Sequence, residues 1–355
     1  MRKILFLPSF FLILGYAEAS AQPTDISSEP DQTWVHQHTG TGFPARLGGF
    51  DRSRIRDLTE DQLDIVVSYK DADQKDVLTL YLYRPAINDV PLWFETARQS
   101  LMVGGFAQFA PELVTETVFT PPGQLSTAGM VVSYSLTGSE SKSTAIAMAP
   151  LNRWLLKVRY TSAKYDAQSL ADEIPKIVSA VETGDIIEQA PEALAVKPCA
   201  KKLKLKSKVK RFRPSLVDAL IGGAITSTAE EEKSDPDKPA ETVTYCRDPG
   251  EYGRWTVFRA NESKNSYILP LGDSGRALSV YRNTLSGAIS GDNRRRYTPV
   301  HMKLGQQDIF TDINVLPVPE TLVAVINQGA IISSSTTWPD EGSTITIDSG
   351  LATDE

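Results

Sequence analysis

Beyond residue 21 the chain contains no run of 18 or more apolar residues, so no later segment reads as a transmembrane helix. It has only two cysteines, Cys199 and Cys246, and three histidines, His36, His38 and His301. That scarcity leaves no paired-cysteine zinc spacing and no histidine-rich cluster, so no metal is expected. Neither a phosphate-binding glycine loop nor a dinucleotide fingerprint is present, and no cofactor is expected on those grounds. Positive charge is not in excess: the formal net charge is −7. A global attraction to nucleic acid or anionic lipid is therefore excluded, and any such binding needs a local patch.

What is present begins at the amino terminus. Met1-Arg2-Lys3 is a short positive start, residues 4–14 are nearly all apolar, and Ala19-Ser20-Ala21 has the small-residue pattern of a signal-peptidase site. Residues 1–21 read as a signal peptide cleaved after Ala21. The apolar run is too short for the ~20 residues that cross a bilayer, so no anchor is expected in the mature chain. No cysteine sits at the cleavage site to carry a lipid, which makes the expected destination periplasmic or secreted. In such a compartment Cys199 and Cys246 are free to form a disulfide. It would close a loop of about 48 residues and contribute about 4 kcal/mol in the chain-entropy picture.

About 330 residues remain after cleavage, enough for two domains of ordinary size. The expected architecture is α+β, with each domain a mainly antiparallel sheet packed with helices. Residues 22–42 read as a flexible leader, 43–183 as a first α/β sandwich domain, 184–198 as a linker, 199–348 as a second α+β domain and 349–355 as a tail. In the first domain Leu63, Ile65 and Val67 alternate as in a strand. Asn88-Asp89 before Val90-Pro91 marks a helix start, and Trp93, Phe94, Ala97 and Leu101 continue it on one face.

Phe43-Pro44, Leu47-Gly48-Gly49-Phe50, Tyr81-Leu82-Tyr83-Arg84-Pro85 and Trp93-Phe94 resemble uncharacterised exported proteins of Gram-negative bacteria. The expected element order is similar to that of the PsbP-type α/β sandwich. Neither resemblance brings a catalytic motif, so neither implies an activity.

The densest charge in the chain follows the expected linker. Lys202, Lys204, Lys206, Lys208 and Lys210 alternate with smaller or apolar residues, and Arg211 and Arg213 extend the row without an intervening acid. The spacing predicts a strand with one lysine face, a candidate site for phosphorylated lipid headgroups, an acidic polysaccharide or an acidic protein. The structural alternative is an edge strand whose lysines discourage pairing with other chains.

Other motifs lack their chemical context. Gly272-Asp273-Ser274-Gly275 matches the surroundings of a serine-protease nucleophile, but the only preceding histidines are His36 and His38 in the expected leader. An ordinary turn explains it. Ser139-x-x-Lys142 has the spacing of penicillin-interacting enzymes but falls between expected strands rather than on a helix. His36-x-His38 offers two metal ligands without an evident third. The resulting expectation is a non-catalytic binding or interaction module of the cell envelope, whose partner is an envelope protein or an anionic surface. The alternatives are an envelope hydrolase with scattered carboxylates and a peripheral binder working through the lysine row.

Overall fold

A computed structural model describes residues 22–103, 107–185, 188–216, 218–220, 243–290, 294–339 and 343–352. The signal-peptide reading of residues 1–21 and the acidic stretch 229–241 lie outside them.

Alternating apolar residues produce the strands of the first half. These are β1 (Thr24–Asp25), β2 (Trp34–Val35), β3 (Gly42–Phe43), β4 (Arg46–Leu47), β5 (Phe50–Asp57), β6 (Asp64–Lys70) and β7 (Val77–Tyr83). Helix α1 (Val90–Val103) follows, then β8 (Glu112–Phe119), β9 (Gly129–Ser135), β10 (Ser143–Leu151), β11 (Trp154–Ser162) and helix α2 (Ala167–Ala180). The nine-stranded sheet runs β1-β5-β6-β7-β11-β10-β9-β8, with β4 also beside β5, while β2 and β3 pair separately.

Both helix starts follow from their caps. Asp89 Oδ1 accepts the Leu92 amide at 2.7 Å, and Asp166 Oδ1 accepts that of Ser169 at 2.8 Å. On one face of the sheet Leu170, Ile174, Ile177 and Val178 of α2 pack with Ile65, Val67, Leu78 and Leu80. On the other, Trp93, Phe94 and Ala97 of α1 meet Val132, Ile146 and Met148, together with Phe258 and Ala277 from the second half. The core thus continues from one half into the other.

The second half is a meander. β12 (Lys197–Pro198) lies parallel to β13 (Tyr245–Arg247). β14 (Phe258–Ala260), β15 (Ser266–Pro270), β16 (Ala277–Asn283), β17 (Arg296–Met302), β18 (Gln306–Phe310), β19 (Ile331–Thr336) and β20 (Ile345–Ile347) then add in sequence order to make nine strands. The helix Pro319–Gln328 packs Leu322, Val325 and Ile326 against Tyr267, Leu269 and Val280.

The α+β expectation is overturned. The protein is mostly β, with 37% strand against 17% helix and two large sheets of nine strands. The physical reason is the source of cover. Where helices alone were expected to cover the second sheet, one face packs against the first half and the other against both the helix Pro319–Gln328 and an extended segment at 201–210.

Residues 22–42, expected to form a flexible leader, are also built into the fold. β1 pairs with β5, β2 with β3, and Gly42 bridges Glu182. Arg52 ties this segment down, donating to the Glu29 and Gln32 carbonyls at 2.9 Å each. Among the described residues, no helix is long and apolar enough to cross a membrane.

Candidate functional site

The lysine run keeps its alternation but is not a strand. Leu203 is buried, and Leu205 and Val209 pack beside it against the second-half core, whereas Lys202, Lys204, Lys206, Lys208 and Lys210 are all exposed. The segment is extended, and among the described residues its backbone pairing is limited to isolated bridges, Lys206 with Pro317 and Arg211 with Ile313. No ladder develops because the pairing changes sense, parallel at Lys206 with Pro317 and antiparallel at Arg211 with Ile313, and the neighbour enters a helix at Pro319. Two hydrogen bonds still hold the centre, from the Lys206 amide to the Leu316 carbonyl at 3.0 Å and from the Val318 amide to the Lys206 carbonyl at 2.9 Å.

The start of the segment is anchored by a buried charge pair that sequence reasoning did not single out. Arg259 Nη1 lies 3.1 Å from Asp248 Oδ2, and both side chains are almost fully buried. Asp248 Oδ2 also accepts the Leu203 amide at 2.9 Å, and Arg259 donates to the Lys201 carbonyl. The Asp248 Oδ1 atom accepts the Tyr252 hydroxyl at 2.7 Å. Burial, and then that hydrogen bond to a carboxylate, pushes the Tyr252 hydroxyl above its ordinary pKa. Nothing in the local sequence marks Arg259 as buried, because the partner that neutralises it is set by β13–β14 pairing.

The Cys199–Cys246 disulfide is present. It joins the end of β12 to β13, where the Cys199 amide donates to the Arg247 carbonyl at 2.8 Å, so the lysine segment leaves from a cross-linked point. Among the described residues none of the five lysines forms an ion pair with an acid, although Lys202 Nζ stands 5.7 Å from the Tyr252 ring centroid. Lys202, Lys204 and Lys206 border a surface depression of about 530 Å³, with Glu251 and Glu320 also on its wall. Arg211 belongs to the fold, donating to the Val325 carbonyl at 3.0 Å, and Arg213 is exposed at the end of the row.

The Gly272-Asp273-Ser274-Gly275 turn joins the two halves. Lys157 Nζ donates to Asp273 Oδ2 at 2.8 Å, the Ala86 amide donates to the Gly275 carbonyl at 2.8 Å, and Ser274 Oγ reaches only the Leu271 carbonyl at 3.4 Å. Close by, Arg276 Nη1 is 3.6 Å from Asp64 Oδ2. Burial pushes Asp64 up to about 6, with Arg276 and Lys157 pulling the other way.

His36 and His38 are structural. His36 is fully buried, with Nδ1 2.9 Å from Thr39 Oγ1 and Nε2 2.9 Å from the Gln62 carbonyl. Burial lowers its pKa to about 4. His38 stands against Trp154 and Trp338, its Nε2 2.8 Å from the Asp61 carbonyl. Among the described residues no group of three or more His, Cys, Asp or Glu is placed to hold a metal. Ser139 and Lys142 lie in the β9–β10 connection, where Lys142 Nζ donates to the Lys164 carbonyl at 3.3 Å. His301 is buried in β17.

Comparison with known proteins adds little to this geometry. No protein-family model matches the chain, and no curated protein matches it. A solved structure from Bacteroides thetaiotaomicron VPI-5482 is similar at 10% identity, covering 70% of this chain and 89% of its own, with a TM-score of 0.22. A likeness at that level carries no argument about fold or function, and no link to PsbP-type proteins emerges.

Proposed function

We propose that the protein is exported and acts as a non-catalytic binding module of the cell envelope, holding an anionic partner on the row Lys202, Lys204, Lys206, Lys208 and Lys210. The observation that carries this reading is the contrast along one extended segment: Leu203 is buried in the core and Leu205 and Val209 pack against it, while the intervening lysines stay exposed without acidic partners among the described residues. Holding the backbone by packing rather than by lysine contacts leaves the charges free for a ligand and limits the entropy lost on binding. A row of like charges concentrates positive potential on a molecule whose net charge is −7. The disulfide at the head of the segment accords with an oxidising compartment.

The test is co-sedimentation with vesicles containing anionic phospholipid, beside neutral vesicles and a soluble acidic polysaccharide. Binding to at least one anionic probe is expected to fall as salt rises and the screening length drops below about 8 Å. Replacing the five lysines by glutamine should abolish it while leaving the melting temperature unchanged. Undiminished binding by that variant would reject the proposal.

A further inference from the structure

A second concavity lies at the junction of the two halves, bounded by the start of α1, residues 188–198 and the start of the second sheet. Its volume of about 530 Å³ is within the range of ligand-binding clefts. The walls are largely apolar, with Pro91, Pro191, Leu194 and Val243 among them. Around these stand four carboxylates, Asp89, Glu188, Glu192 and Glu262, against one cation, Lys197. Two of the four are held by neutral donors, the Thr127 hydroxyl on Glu192 and the Ala200 amide on Glu262. Among the described lining residues acids outnumber bases, the opposite of the lysine row.

One wall has a particular backbone state. The Ala193 amide donates to the Thr127 carbonyl at 3.0 Å, and β12 is the terminal strand of the second sheet. Between these anchors Leu194 and Ala195 make no backbone hydrogen bond among the described residues, and Leu194 is 61% exposed. Tyr245, half-buried, also lines the groove and packs its ring against the core around α1. Burial, and then the nearby Asp89 carboxylate, raises the pKa of its hydroxyl. An unpaired rail at the end of a sheet is the feature that strand addition uses, with alternate side chains of the incoming chain directed into the adjoining groove.

We infer that this groove binds an extended peptide in which lysine or arginine alternates with apolar residues, its backbone alongside residues 194–197 and its cations facing Glu188, Glu192 and Glu262. The carboxylates select against acidic ligands, the apolar walls select against a wholly charged one, and the unpaired backbone selects for an extended chain. This site is independent of the anion-binding row proposed above.

The experiment is fluorescence anisotropy of a labelled octapeptide alternating lysine and valine, beside the matched peptide alternating glutamate and valine, on the oxidised protein. Ala195→Trp fills the groove without changing charge, and Glu188→Gln combined with Glu192→Gln removes rim charge without changing shape. Each is expected to weaken the basic peptide by about tenfold or more. Replacing the five lysines of the row by glutamine should not weaken it. Circular dichroism and melting temperatures confirm that the variants are folded. Equal binding of both peptides, no loss with Ala195→Trp, or no binding of the basic peptide at about 100 μM would overturn the inference.

Discussion

Gly275 has φ of +81°, and a β-carbon there would stand 2.9 Å from Tyr83 Cδ2 and 3.1 Å from Pro85 Cα. Gly275→Ala is expected to cost about 1–3 kcal/mol through left-handed backbone strain and overpacking, seen as a lower urea midpoint. Ser274→Ala, which removes only a 3.4 Å contact, should stay within about 0.5 kcal/mol. The tetrapeptide was legible as a turn, but Asp273 finds Lys157 116 residues away, which no local pattern announces. Asp64 and His36 make a pH-dependent pair of opposite sign. Asp64 is raised to about 6, so between about pH 4 and 6 the folded form holds a proton the unfolded chain has lost, and stability falls as pH rises. His36 is lowered to about 4, so between about 4 and 6.5 the unfolded chain holds the extra proton, and stability rises with pH. Asp64→Asn removes the first contribution alone. Its urea midpoint should therefore climb more steeply than wild type between pH 4.5 and 6.5; an unchanged slope would refute the assignment.

Segment 201–210 separates what alternation specifies from what it does not. Period-two patterning dictates an extended backbone and chooses which side chains face the core, and Leu203, Leu205 and Val209 obey it. A strand also needs a partner backbone that stays extended in one sense, and here the neighbour pairs parallel at Pro317, antiparallel at Ile313, and turns into a helix at Pro319. Leu203→Ala is expected to destabilise by about 2–5 kcal/mol, because a buried side chain leaves a cavity beside Tyr252 and Val257. Lys204→Gln, on the exposed side of the same segment, should change stability by less than about 0.5 kcal/mol. Thermal melts of the two variants read the difference directly. Helix α1 was more legible, since it begins at an Asx cap whose chemistry is local. α2 continues through Pro175, held by its apolar face against the first sheet.

At the scale of the molecule, the two halves share buried surface. Phe258 and Ala277 enter the core around α1, Leu304 enters the core around α2, and buried Arg84 donates to the Leu304 carbonyl at 2.9 Å. Glu95 and Arg247 add an ion pair at 2.9 Å across the same junction. One unfolding transition is therefore expected in urea, reported alike by tryptophan fluorescence and circular dichroism. Two separated transitions would show that the shared core does not couple the halves. Sequence by itself determined the alternating segments, the helix caps, the sparse metal-ligand chemistry and the concentration of lysine in one short row, because each depends on residues near one another in the chain. Only the tertiary structure decided that residues 22–42 are integrated, that sheets rather than helices dominate, that the lysine segment is anchored by Asp248 and Arg259, and that an acidic groove opens between the halves. Those outcomes rest on contacts between distant residues, where burial and pairing of backbone and charge are settled by the whole fold.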